Sequence, residues 1–288
     1  MASLKEIKSR IQSVKSTQKI TSAMKMVSSA KLRKAQKTIE NFFPYEQRLN
    51  GLLNNFLSAG EDNSSAFSEI REVKRVAIVV FSSNSSLCGA YNSNVAKMLT
   101  QTVEKYHSLG REHILIFPVG KKIAKVCHKL GFNQEANFEA MADKPNYAAT
   151  LGLSDDLIQM FLNKDIDKVE FIYHHFVSKS TQKLTNETFL PIQLTVPVKG
   201  AVALDYIVEP DRPTILSELV PMVLRLKIYT ALLDSNASEH AARTIAMQMA
   251  TDNATDLLQE LSLQYNKSRQ QAITNELLDI VGGSFGQN

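Results

Sequence analysis

Apolar residues at Leu4, Ile7, Ile11 and Val14 follow a 4-3 spacing, the seam of a helix that pairs with another helix. The positions that continue this spacing, Gln18, Thr21, Lys25 and Ser28, are all polar. Ile20, Met24 and Val27, with Ala23 and Ala30 beside them, form a second stripe a little round the helix. Leu32, Ala35, Ile39 and Phe42 then bring the first register back. A helix buried against one uniform core keeps a single stripe, so this one is expected to meet different surroundings along its length. The pattern runs from about Leu4 to Leu57, with Gly51 near its end and Pro44 expected to kink it at most. Unbroken, it would reach roughly 80 Å.

The stretch SAGEDNSSAFSE (Ser58 to Glu69) is small and polar and reads as part of a linker over 58–72. Then the period changes. KRVAIVVF (Lys74 to Phe81) is a continuous apolar run, the mark of a strand buried on both faces. The loop SSNSSLCGAYNSN leads to a helix from about Ser93 to Leu109. HILIFPVG (His113 to Gly120) is a second strand and KKIAKVCHKLG a second helix, closed by Gly131. A third helix is expected near Asp155 to Leu162, after a long loop rich in Ala, Asn and Asp. Asp167 to Ser178 and Gln182 to Ile192 alternate as two strands joined by a short turn, and LDYIVEP (Leu204 to Pro210) offers one more. Residues 73–210 therefore read as an α/β domain with a mixed sheet.

In the last part, 211–288, Asp211 caps a short helix with Pro213 in its first turn, and Pro221 is expected to stop it or start the next. From Pro221 to about Val281 there is no Gly and no further Pro. Leu226, Tyr229, Leu233, Ala237, Ala241, Ile245, Leu257, Leu261, Tyr265, Ala272 and Leu277 recur there at helical spacing, over roughly 90 Å. A domain of some 135 residues is only about 30–40 Å across and cannot cover such a helix. The two terminal helices are expected to satisfy each other's stripes as an antiparallel coiled coil.

Composition changes this picture little. The 288 residues are 44% hydrophobic and 22% charged, the profile of a soluble globular chain large enough for a proper core. No apolar run approaches the 18 residues of a membrane span, and the N-terminus lacks the apolar stretch of a secretory signal. Cys88 and Cys127 make no disulfide framework and suit a reducing compartment. Charge matters more. Residues 1–38 hold ten Lys/Arg against one acid, Glu6, a +9 segment in a chain of net +4. The helical pattern runs through this segment, which is read as mature structure and not as a transit peptide. Nucleic acid, an anionic membrane surface or an acidic protein could each answer it. With no aromatic residue before Phe42, it offers no stacking platform for bases.

Candidate chemistry is sparse. The loop at Cys88 and Gly89 sits where an α/β sheet usually holds a ligand, but it has one Gly, not GxGxxG, and Lys97 lies too far into the helix to reach a phosphate. VGKK (Val119 to Lys122) lacks the first Gly of a phosphate loop and has Ile123 near where a metal-binding Ser or Thr would stand. His174 and His175 point to opposite faces of a strand, so they cannot share a metal. Cys127 and His128 diverge on a helix. His240, after Glu239 and before Arg243, reads as a polar surface or interface residue. No GxSxG is present, and no catalytic, cofactor or metal site is expected. The tail AITNELLDIVGGSF (Ala272 to Phe285) has only Glu276 and Asp279 as charges, so Leu277, Leu278, Ile280, Val281 and Phe285 expect enclosure by a partner or by a second copy.

Both ends carry a family resemblance. KEIKSRIQSVKSTQKITSAMKMVSSAKLRKAQ (Lys5 to Gln36) resembles the amino-terminal helix of gamma subunits of F-type ATP synthases, and Ala237 to Gly283 resembles their carboxyl-terminal helix. The family's tail signature, Ile-Thr-x-Glu-x-x-acid-x-x-x-Gly-Ala, is met by Ile273, Thr274, Glu276, Asp279 and Gly283, and departs at Ser284. SSLCGAYN (Ser85 to Asn92) is similar to the family's GLCGxxN loop, with Ser86 in place of its first glycine. The resemblance covers the whole chain and is loosest from about Asn133 to Ile192; no cysteine-bearing insertion of the chloroplast kind is present.

What the resemblance implies is a long antiparallel coiled coil on a Rossmann-like α/β domain, serving as the rotor shaft that couples ion flow through a membrane ring to ATP synthesis or hydrolysis on beta subunits. The implied partners are the alpha and beta subunits of the catalytic hexamer, the epsilon subunit and the ring of c subunits. The chain itself would be non-catalytic, free of cofactor and not inserted in the membrane, within a peripheral complex on the cytoplasmic face of a bacterial inner membrane. By position, Met24 matches a family residue that packs between rotor helices and beta. Arg243, Gln270, Thr274 and Glu276 match positions of shaft contact and coupling, with Arg269 beside them. Acidic loops of beta would pass the basic segment. On this reading the interval between Val14 and Leu32 leaves the seam and exposes Lys, Ser and Thr to the stator. The alternative is a nucleic-acid-binding coiled coil using the basic helix, marked by steep salt dependence. Weaker still is an enzyme with a nucleotide held near Gly89.

Overall fold

A computed structural model describes residues 3–58, 66–132, 138–192, 208–209 and 211–285. Of the strand expected at Leu204 to Pro210 only Val208 and Glu209 are described, and neither is in a strand; the centre of the expected linker lies outside the described residues. The elements run α1 (Leu4–Ser58), β1 (Val76–Phe81), α2 (Tyr91–Lys105), β2 (Ile114–Val119), α3 (Lys121–Lys129), α4 (Glu139–Asp143), α5 (Tyr147–Leu162), β3 (Lys168–Phe176), β4 (Gln182–Leu190) and α6 (Arg212–Phe285).

The chain divides into two compact units, residues 29–242 and residues 1–28 with 243–288. In the larger unit the sheet order is β2-β1-β3-β4, with β1 parallel to both neighbours and β4 antiparallel to β3. Both faces are covered, as the continuous apolar run of β1 requires. Val76, Ile78 and Val80 face Val95 and Leu99 of α2 and Ile123 and Cys127 of α3. Ala77, Val79 and Phe81 face Leu153, Leu157 and Phe161 of α5, Leu49 and Leu53 of α1, and Val220 to Leu232 of α6.

Three boundaries differ from expectation. First, α5 starts eight residues before Asp155, because the Asn146 side chain accepts the Ala148 N–H at 3.1 Å and caps a helix inside what reads as loop. Second, α2 runs from Tyr91 to Lys105, and His107–Leu109 form a separate 3-10 turn. Third, Pro221 neither stops nor starts a helix. Asp211 does cap, accepting the Thr214 N–H at 2.8 Å, but α6 then continues unbroken through Pro221. An interior proline costs about 3 kcal/mol. Burial of Val220, Val223, Leu224 and Leu226 around it, at about 1.5–3 kcal/mol each, outweighs that.

In the smaller unit α1 and α6 run antiparallel. Gln18 meets Thr255, Thr21 meets Thr251 and Lys25 meets Gln248, one number rising as the other falls.

Candidate partner-binding surface

The register of α1 does not break; its chemistry changes. Leu4, Ile7, Ile11, Val14, Gln18, Thr21, Lys25 and Ser28 are all buried or half-buried, and the same 4-3 series continues in the larger unit through Leu32, Ala35, Ile39, Phe42, Glu46, Leu49, Leu53 and Phe56. The polar interval is paired rather than exposed. Gln18 Nε2 donates to Thr255 Oγ1 at 2.8 Å, the Thr21 and Thr251 hydroxyls lie 2.8 Å apart, and Lys25 Nζ donates to Gln248 Oε1 at 2.9 Å. The expectation that Ser and Thr here turn outward holds for Ser16 and Thr17 and is corrected for the seam positions: Thr21 and Ser28 are buried, while Ile20, Met26 and Val27 are 59%, 63% and 58% exposed. The physical reason lies on α6, which supplies partners for a polar seam and none for the second apolar stripe. Polar seam residues fix register at some cost in stability.

The outward surface of this unit combines two characters. On α1, Lys5, Lys8, Arg10, Lys15 and Lys19 are exposed beside Ile20, Met26 and Val27. On α6 the end of the helix exposes Ile273, Leu277, Leu278 and Ile280 at 49–69%. Apolar side chains of this size in one unit mark a surface built to be covered.

The six residues singled out from the resemblance fall at two levels. Met24 is half-buried, next to the Lys25–Gln248 bond, and Arg243 is buried. Arg269, Gln270, Thr274 and Glu276 are exposed, and the Thr274 hydroxyl donates to the Gln270 carbonyl of its own helix at 2.9 Å. At 1.5 Å per residue, Arg269 lies roughly 39 Å along α6 from Arg243, so the fold does not gather the six into one site.

The sequence reading missed a second feature, in the larger unit. Residues Ala231 to His240 of α6 are buried without interruption, including Asp234, Ser235, Asn236, Ser238, Glu239 and His240. His240 is thus a buried residue, not a surface one. The available signal was the run DSNASEH itself, small and polar with no Lys or Arg in the middle of a long helix. The Tyr91 hydroxyl lies 2.7 Å from the Ser235 hydroxyl and 3.0 Å from the Ser235 carbonyl. Ser238 Oγ donates to the His174 carbonyl at 3.1 Å, Asn236 Nδ2 donates to the Ala142 carbonyl at 2.9 Å, and His175 Nδ1 lies 2.5 Å from Asp234 Oδ2. The two adjacent histidines do face apart. His174 is buried and stacked on Tyr91 at 4.4 Å, and burial pushes it down to about 4; His175 is half exposed.

These contacts also bear on the ligand crevice expected after β1. The strand order makes β1 the switch point of the sheet, and the residues leaving it and the end of β3, Tyr91 and His174, hold α6 instead. The loop is tied to itself: Ser83 N–H donates to Asn92 Oδ1 at 3.1 Å and Asn92 Nδ2 to Ser83 Oγ at 2.8 Å. Beside this, a cleft of about 550 Å³ lies among α1, β3, β4 and α6, and holds Glu46, Glu187 and Asp234 with Lys227 and His175. Burial raises the Glu46 and Asp234 carboxyls despite the Thr230 and His175 side chains beside them. Among the described residues no three His, Cys, Asp or Glu side chains group as a metal would need, and no helix is long and apolar enough to cross a membrane.

Comparison with known proteins agrees along the whole chain. A family profile described as ATP synthase matches residues 3–285. The ATP synthase gamma chain of Phocaeicola vulgatus is 61% identical over 289 residues, covering 99% of this chain and 100% of that one. The gamma chain of Bacteroides thetaiotaomicron is 57% identical over 297 residues with the same coverage. Among solved structures, a chain of the Euglena gracilis mitochondrial ATP synthase in rotational state 3 superposes with a TM-score of 0.67 at 20% identity, covering 98% of this chain and 94% of that one. At that identity the likeness speaks to the fold alone.

Proposed function

The chain belongs to the ATP synthase gamma-chain family, and we propose that it is the central rotor shaft of an F-type ATP synthase. In that role it couples ion flow through a membrane ring to ATP synthesis or hydrolysis on the beta subunits. The observation that carries this reading is the antiparallel pair of α1 and α6 whose outer surface is left unsatisfied, basic and apolar on α1 and apolar at the end of α6. A shaft inside a ring needs such a surface, and a self-contained enzyme does not.

The partners that fit are alternating alpha and beta subunits around the helix pair, with the epsilon subunit and the ring of c subunits at the sheet domain. Acidic loops of beta complement the exposed lysines of α1, steering and orienting the contact. Met24 and Arg243 serve coupling at one level, and Arg269, Gln270, Thr274 and Glu276 at another. The chain contributes no catalytic group, and the complex sits on the cytoplasmic face of a bacterial inner membrane. The nucleic-acid reading gains no support, because the exposed face of the basic helix carries Ile20, Met26 and Val27 and no aromatic platform.

Reconstitution tests the role. Purified alpha and beta subunits are mixed with and without this chain and ATP hydrolysis is followed. The expected result is a stable, active complex only when the chain is added and no hydrolysis by the chain alone. Failure to form a complex at any salt concentration would overturn the reading.

A further inference from the structure

Residues 231–240 of α6 present an oddity: a helix enclosed on all sides is ordinarily apolar, yet this one carries a run of short polar side chains. Their bonds go to three separate elements of the sheet unit. Ser235 meets Tyr91 at the start of α2, Asn236 meets the Ala142 carbonyl in α4, and Asp234 and Ser238 meet His175 and the His174 carbonyl on β3. At about 100° per residue, these four positions point in directions spread over roughly 200° of the helix circumference. Ala237 and Ala241 occupy the remaining arc, against Leu32 and Ala35 of α1.

We infer that this polar collar is the rotational lock between the sheet and helix α6, the place where torque passes from one to the other. The inference rests on the rotor-shaft reading. Contacts among Ala and Leu side chains are non-directional and resist turning of a helix about its own axis only weakly. Hydrogen bonds weaken steeply once donor and acceptor leave alignment, so bonds placed around the axis must all break together when the helix turns. Short side chains hold the partners close to the axis with few rotatable bonds, which keeps the lock stiff. Tyr91, Ser235, Asn236 and Ser238 are positioning residues here and touch no substrate.

The test uses the full complex in sealed vesicles, carrying Tyr91→Phe together with Ser238→Ala. These changes remove the contacts of the Tyr91 hydroxyl with Ser235 and the bond of Ser238 to the His174 carbonyl, and almost no volume. Ser262→Ala, on the exposed side of α6 and bonded only to its own helix, is the control. Hydrolysis is measured with an ionophore present, then ions pumped per ATP as the opposing gradient is raised. The expected result is hydrolysis like wild type without load and an about tenfold rise in slip at high load, from a lowered barrier to turning. A pumping ratio that follows wild type at every gradient overturns the lock, as does a loss of rate already present without load. Should the double variant not assemble, Tyr91→Phe alone is read by the same two outcomes. A wild-type chain that neither assembles nor pumps instead sinks the rotor reading itself.

Discussion

Thr21 of α1 and Thr251 of α6 face each other across the coiled coil with their hydroxyl oxygens 2.8 Å apart. Each hydroxyl also lies within bonding distance of a carbonyl of its own helix, of Gln18 at 3.1 Å and of Met247 at 2.8 Å. Thr21→Val alone removes one partner and leaves Thr251 facing an apolar group, at an expected cost of about 1 kcal/mol. Replacing both by Val should recover most of that loss, because two isosteric apolar groups leave no polar group stranded. Urea unfolding of the full chain in a double-mutant cycle measures it, and simply additive costs would show that the pair is not coupled.

Acid should weaken the larger unit first around His174. Burial pushes its ring down to about 4, against 6.5 for the unperturbed group. Between these values the unfolded chain binds the extra proton, so stability falls as pH drops through that window, by up to about 3 kcal/mol. Glu170 adds to the effect at lower pH. Burial would raise its carboxyl, but Lys168 at 2.7 Å and Tyr106 at 2.5 Å hold it below the usual range, and that support is lost as it protonates. His174→Phe, which keeps an aromatic ring on Tyr91, should flatten the upper part of the profile. Melting temperatures from pH 7 to pH 4 check it, and an unchanged slope would rule His174 out.

Glu46 behaves in the opposite sense. Burial raises its carboxyl, with Asp234 and Glu187 adding to the rise and Thr230 and Lys227 opposing it. A carboxyl raised by folding costs stability once pH exceeds its unfolded value. Glu46→Gln should therefore stabilise the chain at pH 7, with the gain vanishing below about pH 4. Chemical unfolding at the two pH values decides.

Gly120 admits no side chain. A Cβ there would lie 2.4 Å from the Ser82 carbonyl oxygen, and its φ of +109° is one that L-residues avoid. Ser82 cannot give way, since its N–H donates to the Val119 carbonyl at 2.8 Å and its hydroxyl accepts the Ile123 N–H at 3.1 Å. Gly120→Ala should cost about 3 kcal/mol or more, read as a lower urea midpoint with an unchanged slope.

Met24→Lys adds a charge to a segment already rich in lysine, on a half-buried position beside the polar seam. Assembly with alpha and beta subunits should survive while ions pumped per ATP decline, by about twofold or more if contact energy near 0.5 kcal/mol is lost. Equal pumping per ATP in variant and wild type would remove Met24 from the coupling surface.

Much of the fold is legible in the sequence. The heptad series of α1 and the Gly-free stretch of α6 determine two long helices, and the unbroken apolar run of β1 determines a sheet covered on both faces. The two terminal motifs determine the family. These signals survive because periodicity is a local property, repeated over tens of residues. The start of α5 and the passage of α6 through Pro221 were not legible, since one cap and one packed neighbourhood outweigh local propensity.

Which stripe of α1 turns inward was decided only by the tertiary structure. Hydrophobicity alone favours Ile20 and Val27 over Thr21 and Ser28, yet the latter are buried and the former exposed. A polar group can be buried cheaply only where a partner is supplied. For Thr21 that partner is Thr251, 230 residues away, and for Ser235 it is Tyr91, 144 residues away. No local pattern announces such a pair, because the energy that favours it exists only once the two helices, or the helix and the sheet, have met.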